Sequence, residues 1–388
     1  MSRLLAVLLC LPLLATASSD LKDTTALEAA CSGLPKQASQ LRDNDQRQRF
    51  VICRDIAVLQ HAGKVIYGDL KRLERLYNEH QYEALERIIR QELTYVLREL
   101  KTQSAVMQSL KLQPGEGVWV QPGRWAFDVD GNGQIEVWER HLLAIPKRGH
   151  QTPLLAAPSN DEAYYQAEHN LDARFQVDQS DVQWALAYHQ FAQGVLELVL
   201  SYDIHWDAPF ERILELKSPQ GVARAHQQVL AGLKTSDALR TSLLAETDDA
   251  AEWIPNPKQK QTVFPLPMDE QTFQTWKTLF DHVIPAWSGQ TLLIATEKDD
   301  GLLATLAEFC PTSQGIDIAA VFHKPVRYPF ALEKQAAQQA LSRQVCRAVD
   351  SKHPASQLFA FLTEYVAQQD KNPDVPSMAF LRHLYWVN

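Results

Sequence analysis

Between Leu70 and Leu100 the apolar residues Leu73, Leu76, Tyr77, Tyr82, Leu85, Ile88, Ile89, Leu93, Val96 and Leu97 recur at spacings of three and four. That period places them on one stripe of a helix or helical hairpin, with Glu83, Arg87, Arg90 and Glu92 on the other face. From Asp181 to Tyr202 the pattern changes. Val182, Trp184, Leu186, Tyr188, Phe191, Val195, Leu198 and Val199 point nearly all round the axis, which predicts a buried central helix capped by Ser180 or Asp181. Gln183, His189, Gln190, Gln193 and Glu197 in the same stretch speak against a membrane setting. They require partners inside the fold, because an unpaired buried polar group costs about 1 to 3 kcal/mol.

Further helices are expected over 218–233 and 268–284, the second opened by Pro267 with Asp269 and Glu270 in its first turn. Others follow over 332–349, 354–369 and 376–385. Short apolar runs after turn residues predict strands at 289–296 and 315–322. Pro255 and Pro257 restrict the residues before them, so 253–258 reads as an extended connector. Turn chemistry at Pro114-Gly115, Pro122-Gly123, Pro146 and 153–158 sets off a turn-rich island. The fold expected is mainly α: a multi-helix globular body with a small β contribution in the C-terminal half. The chain divides into an N-terminal helical region (18–115), the turn-rich segment (116–158) and a helical C-terminal region (159–388).

The first seventeen residues are of another kind. Arg3 precedes an apolar run from Leu4 to Leu14 and then Ala15-Thr16-Ala17, the order of a secretory signal peptide over 1–17. The run is about half the ~20 residues a bilayer span needs, so stable membrane insertion after cleavage is not expected. Cys10 follows Leu9, where a lipoprotein signal needs a small residue. A periplasmic or secreted location follows, and the remaining four cysteines suit it. Of three possible connectivities, proximity favours Cys31–Cys53 with Cys310–Cys346. No cysteine cluster suggests zinc. The formal charge of −9 disfavours nucleic acid and anionic membrane surfaces as partners.

Inside the turn-rich island lies Asp128-Val129-Asp130-Gly131-Asn132-Gly133-Gln134-Ile135-Glu136-Val137-Trp138-Glu139. The run resembles the EF-hand calcium loop at each position the motif specifies. Calcium takes six to eight oxygens, so alternate residues of a tight loop must point inward. Asp128, Asp130 and Asn132 are the expected side-chain ligands, and Gly133 permits the sharp turn. Gln134 is expected to offer its backbone carbonyl, Glu136 to bind directly or through water, and Glu139 to clamp the ion with both oxygens. Four carboxylates should therefore converge. The resemblance implies Ca2+ as the bound ion and expects Phe127 and Ile135 to pack inward or pair with a neighbouring loop. Two features depart from it. Pro122-Gly123 leaves room for no more than a turn where the entering helix should be, and the sequence holds no second complete loop. A lone loop on a large body suits a structural ion better than a switch.

No nucleophile elbow, zinc-protease helix, phosphate loop or dinucleotide fingerprint occurs, so catalytic residues are unknown from sequence. The most suggestive remaining cluster is Asp203-Ile204-His205-Trp206-Asp207. An enzyme with dispersed groups, most plausibly a hydrolase, would need a pocket where Asp203, His205 and Glu197 converge. Asp248-Asp249 and Asp299-Asp300-Gly301 read as turn chemistry. Tyr164, Tyr165, Trp184 and Tyr188 with His169 and His189 read as core. The expected function is a non-catalytic exported calcium-binding protein. The alternatives are a hydrolase-like enzyme and a helical adaptor for another envelope protein, which would need a large exposed apolar patch.

Overall fold

Short polar side chains open most of the helices, because each satisfies an amide that the first turn leaves unpaired. Asp23 accepts from Ala26 N (2.8 Å) ahead of α1 (Thr24–Ser32), and Asp43 from Gln46 N (2.8 Å) ahead of α2 (Asn44–Gly63). The computed structural model describes residues 20–148, 159–249, 251–294, 309–310, 313–333 and 335–370. The expected signal peptide, the turn Asp299-Asp300-Gly301 and the helix over 376–385 lie outside these residues.

Beyond α2 the chain makes one π-helical turn, Lys64–Gly68, and then the hairpin that the Leu70 stripe predicts: α3 (Leu70–Asn78) and α4 (Tyr82–Ser109). After these come α5 (Val137–Arg140), α6 (Glu162–Glu168), α7 (Gln179–Leu200), α8 (Pro219–Ala245) and α9 (Glu270–Trp287). The C-terminal part adds α10 (Ile318–His323), α11 (Gln335–Val345) and α12 (Leu358–Asp370). Twelve helices among the described residues make the protein mainly helical, as the periodicity predicted.

Among the described residues, four antiparallel two-stranded ribbons complete the fold. They pair β1 (Val118–Val120) with β4 (Phe175–Val177), β2 (Ile145–Pro146) with β3 (His169–Asn170), β5 (Tyr202–Ile204) with β6 (Leu214–Leu216), and β7 (Gln314–Ile316) with β8 (Cys346–Ala348). Two of the four lie ahead of residue 180, whereas the β contribution was expected in the C-terminal half. The strand expected over 315–322 stops at Ile316, because Asp317 Oδ1 accepts from Ala320 N (3.1 Å) and starts α10. In the run from 289, Leu292 and Leu293 form single bridges to Ala355 and Ile316.

Helix α7 packs between α4 and α8. Its cap is Asp178, not Ser180 or Asp181: Asp178 Oδ1 accepts from Ser180 N (2.8 Å) and Asp181 N (3.0 Å) in a capping box. Of the polar residues that seemed costly, His189, Gln190, Gln193 and Glu197 form its buried side, while Gln183 is half-buried. His189 Nε2 meets Asp55 (2.9 Å) and Gln103 (3.0 Å), Gln193 Nε2 donates to Ser104 Oγ (2.7 Å), and Glu197 takes Lys101 (2.5 Å) and Arg224 (2.9 Å). Val195, Leu198 and Val199 face outward instead, Val195 at 59% exposure. Helix α8 runs past the expected end near 233 because Ser236, Leu239 and Leu243 continue its buried stripe.

Three clusters of buried apolar side chains form the core. One gathers Leu239, Leu243, Trp253, Phe264 and Phe280; a second Leu21, Val118, Trp125, Phe127 and Val129; a third Phe50, Val51, Val106, Met107 and Leu186. The connector at 253–258 is therefore not a surface linker, since Trp253, Ile254 and Asn256 are buried. Both expected disulfides are present, Cys31–Cys53 and Cys310–Cys346. No helix among the described residues is long and apolar enough to cross a membrane.

Candidate metal centre

The segment leading into the acidic loop is extended. After a 3-10 turn at Pro122–Arg124, the Trp125 indole donates to Leu21 O (2.9 Å), and Phe127 and Val129 are buried on either side of Asp128. That alternation is the period of a strand, so the entering helix is replaced, as Pro122-Gly123 predicted. Support comes instead from α2 and its π turn. A Cβ on Gly63 would stand 2.2 Å from Val129 Cγ1 and 2.6 Å from Val129 O, and one on Gly68 would stand 3.0 Å from Asp130 O. Tyr67 packs on Trp138 with ring centroids 5.4 Å apart.

Within the loop, backbone amides aim the side chains. Asp128 accepts from Gly131 N (2.7 Å) and Gly133 N (2.9 Å), Asp130 from Asn132 N (2.9 Å), and Asn132 from Gln134 N (2.8 Å). Gly131 and Gly133 have φ of 76° and 86°, the left-handed region that glycine enters without strain. Glu139 is fully buried at 0% exposure. Its oxygens accept from Val129 N (2.6 Å), Asp130 N (3.1 Å) and Glu136 N (2.9 Å). Carboxylate oxygens of Asp128, Asp130 and Glu139 lie within 4.8 Å of one another, a group that could hold a metal ion.

The fourth carboxylate does not join this group. Glu136 caps α5 in a reciprocal box with Glu139, and its Oε2 accepts from the Trp138 indole (2.7 Å). Helix α5 is four residues long and gives way to a turn well before Pro146. Phe127 packs inward as expected, but Ile135 is exposed, because no second loop among the described residues lies against it. The donor set is all oxygen, the chemistry a hard divalent cation takes. The three converging carboxylates, one of them fully buried, fit such an ion.

A second acidic group was not legible in the sequence. Asp178 at the start of α7, Glu246 after α8 and Glu252 just ahead of the connector bring oxygens within 4.8 Å of one another, and these too could hold a metal ion. Burial pushes the Glu246 carboxyl up to about 8 and raises Asp178; fully buried Asp181 beside them is pushed well above the usual carboxylate range by burial and by Asp178. The residues come from three separate elements, so no spacing could have announced them.

The Asp203 cluster resolves into separate ion pairs. Asp203 meets Arg90 (2.6 Å) and Lys217 (2.8 Å), and His205 meets Glu215 (3.2 Å). His205 and Asp207 line a surface cleft with the start of α4, while Glu197 and Asp203 do not. Tyr164 and Tyr165 pack with His169, and Trp184 with Tyr188 and Trp253. No protein-family model matches the chain, nor does any curated protein or solved structure.

Proposed function

We propose that the protein is an exported, non-catalytic calcium-binding protein, periplasmic or secreted, in which the ion is structural. The observation that carries this reading is the convergence of Asp128, Asp130 and Glu139 on one centre inside a twelve-residue loop of EF-hand type. Asn132 would add a side-chain oxygen, Gln134 its carbonyl, and Glu136 a contact through water, since its carboxylate is engaged by α5. The ion would offset the mutual repulsion of the three carboxylates and tie the loop to the buried Glu139. A structural role is supported by the loop's setting: it has no helix of its own on the entering side to swing and rests on the end of α2.

The test is a thermal melt of the full chain with calcium, with chelator, and with Glu139→Gln in calcium. At free calcium 100-fold above its dissociation constant, an ion that binds only the folded state stabilises it by about 2.7 kcal/mol. The expected result is a higher melting temperature with calcium that Glu139→Gln abolishes. The same melting temperature in all three conditions would overturn the reading.

A further inference from the structure

The three clusters of buried apolar residues do not close on one another. Between them lies a cavity of about 490 Å3 that is partly open to solvent. Val51 of α2 and Met107 of α4 belong to one wall, Trp125 to another, and Phe175 and Trp253 to the third; Trp184 of α7 lies among them. Protein interiors pack about as densely as organic crystals and hold few voids larger than a water molecule. A space of this size falls in the ~300–1,000 Å3 range of small-molecule sites. An engineered apolar void of about 150 Å3 already takes up benzene.

The lining also limits what can enter. It is largely aliphatic and aromatic, and among the described residues it includes no lysine or arginine to serve as counter-ion for an anionic head. Its polar groups are Gln48, Asp55 and Asp181. Gln48 is buried and donates from Nε2 to Val177 O (2.7 Å). Asp55 is matched by His189 (2.9 Å), and its side chain is 36% exposed, which marks the solvent end of the cavity. Gln48 and Asp55 are seven residues apart on α2, hence on one face, with Val51 and Ile52 between them.

We propose that this cavity binds an uncharged, mostly hydrocarbon small molecule carrying a single hydroxyl or amide group, with that group toward Asp55. The site is separate from the metal reading and does not depend on it. N-phenylnaphthylamine, a neutral dye that emits in apolar surroundings, is titrated into the full chain while tryptophan emission is followed. Saturable one-to-one binding with quenching of the tryptophans is expected, since Trp125, Trp184 and Trp253 line the space. Dodecanol should displace the dye, and dodecanoate should do so far less well.

Ala185→Phe and Ala144→Phe fill the cavity from different walls. Each is expected to weaken dye binding about tenfold or more while the chain still melts cooperatively. Should one variant fail to fold, the other decides, and the competition in the unaltered protein decides the charge preference in either case. Absence of saturable binding, equal affinity in a folded filled variant, or dodecanoate competing as well as dodecanol would overturn the proposal.

Discussion

Gly63 shows how one missing side chain seats the acidic loop. The last residue of α2 touches Val129, and no rotamer change can relieve a contact made partly with Val129 O. Gly63→Ala is therefore expected to destabilise the protein by about 1 to 3 kcal/mol, read as a lower urea midpoint with an unchanged slope. The three converging carboxylates and this support differ in legibility. Asp128, Asp130 and Glu139 could be read because ligand geometry is local and its spacing is set by one tight turn. Gly63 could not, because what makes it necessary lies far along the chain. Glu136 stands between these cases: its position was plain, but competition from the α5 cap and the Trp138 indole is a matter of three-dimensional neighbours.

Among the elements, α7 is the most instructive. Periodicity revealed that a helix was there and that it was central, yet not which side faced in. Its buried side is chosen by polar partners on α2, α4 and α8, and those pairings arise only on folding. Glu197 is the test case. Burial acts to raise its carboxyl, but the hydrogen bonds from Arg224 and Lys101 prevail and hold it below the usual range. A lowered folded value means that its contribution is present above the ordinary carboxyl range and disappears as pH falls through the folded value. Glu197→Gln keeps hydrogen bonding but gives up the charge, so it is expected to lower stability at neutral pH by about 1 to 3 kcal/mol. The difference from the unaltered protein should shrink in urea titrations repeated toward pH 3. Helix ends were the least legible feature. Asp178 took the cap of α7 from its neighbours, and α8 ran on past its expected end near 233.

For the whole molecule, two sets of carboxylates pull stability in opposite directions with pH. The group of Asp178, Asp181 and Glu246 has raised folded values, so the folded chain holds protons that the unfolded chain has released. Their contribution is complete below the ordinary carboxyl range and is lost as pH rises through the folded value, about 8 for Glu246. In chelator, the melting temperature is expected to fall between pH 5 and pH 9, and Glu246→Gln should flatten that fall. The disulfides span sequence separations of 22 and 36 residues. On the chain-entropy account each contributes about 3 to 4 kcal/mol, so reduction should lower the denaturant midpoint substantially, and Cys31→Ala with Cys53→Ala should reproduce part of that loss. Both pairings were readable from proximity alone, whereas the meeting of three core clusters around a void was not.

The docking of the acidic loop on the end of α2 has a further consequence. A calcium cassette with helices on both sides brings its own clamp and can be moved between proteins. The acidic loop leans instead on Gly63, Tyr67 and Gly68, which lie well before it in the chain. Cut out as a peptide, residues 116–148 would lose that wall and the burial of Glu139 with it. Any descendant that keeps the twelve-residue loop must therefore inherit the helix that shelters it as well.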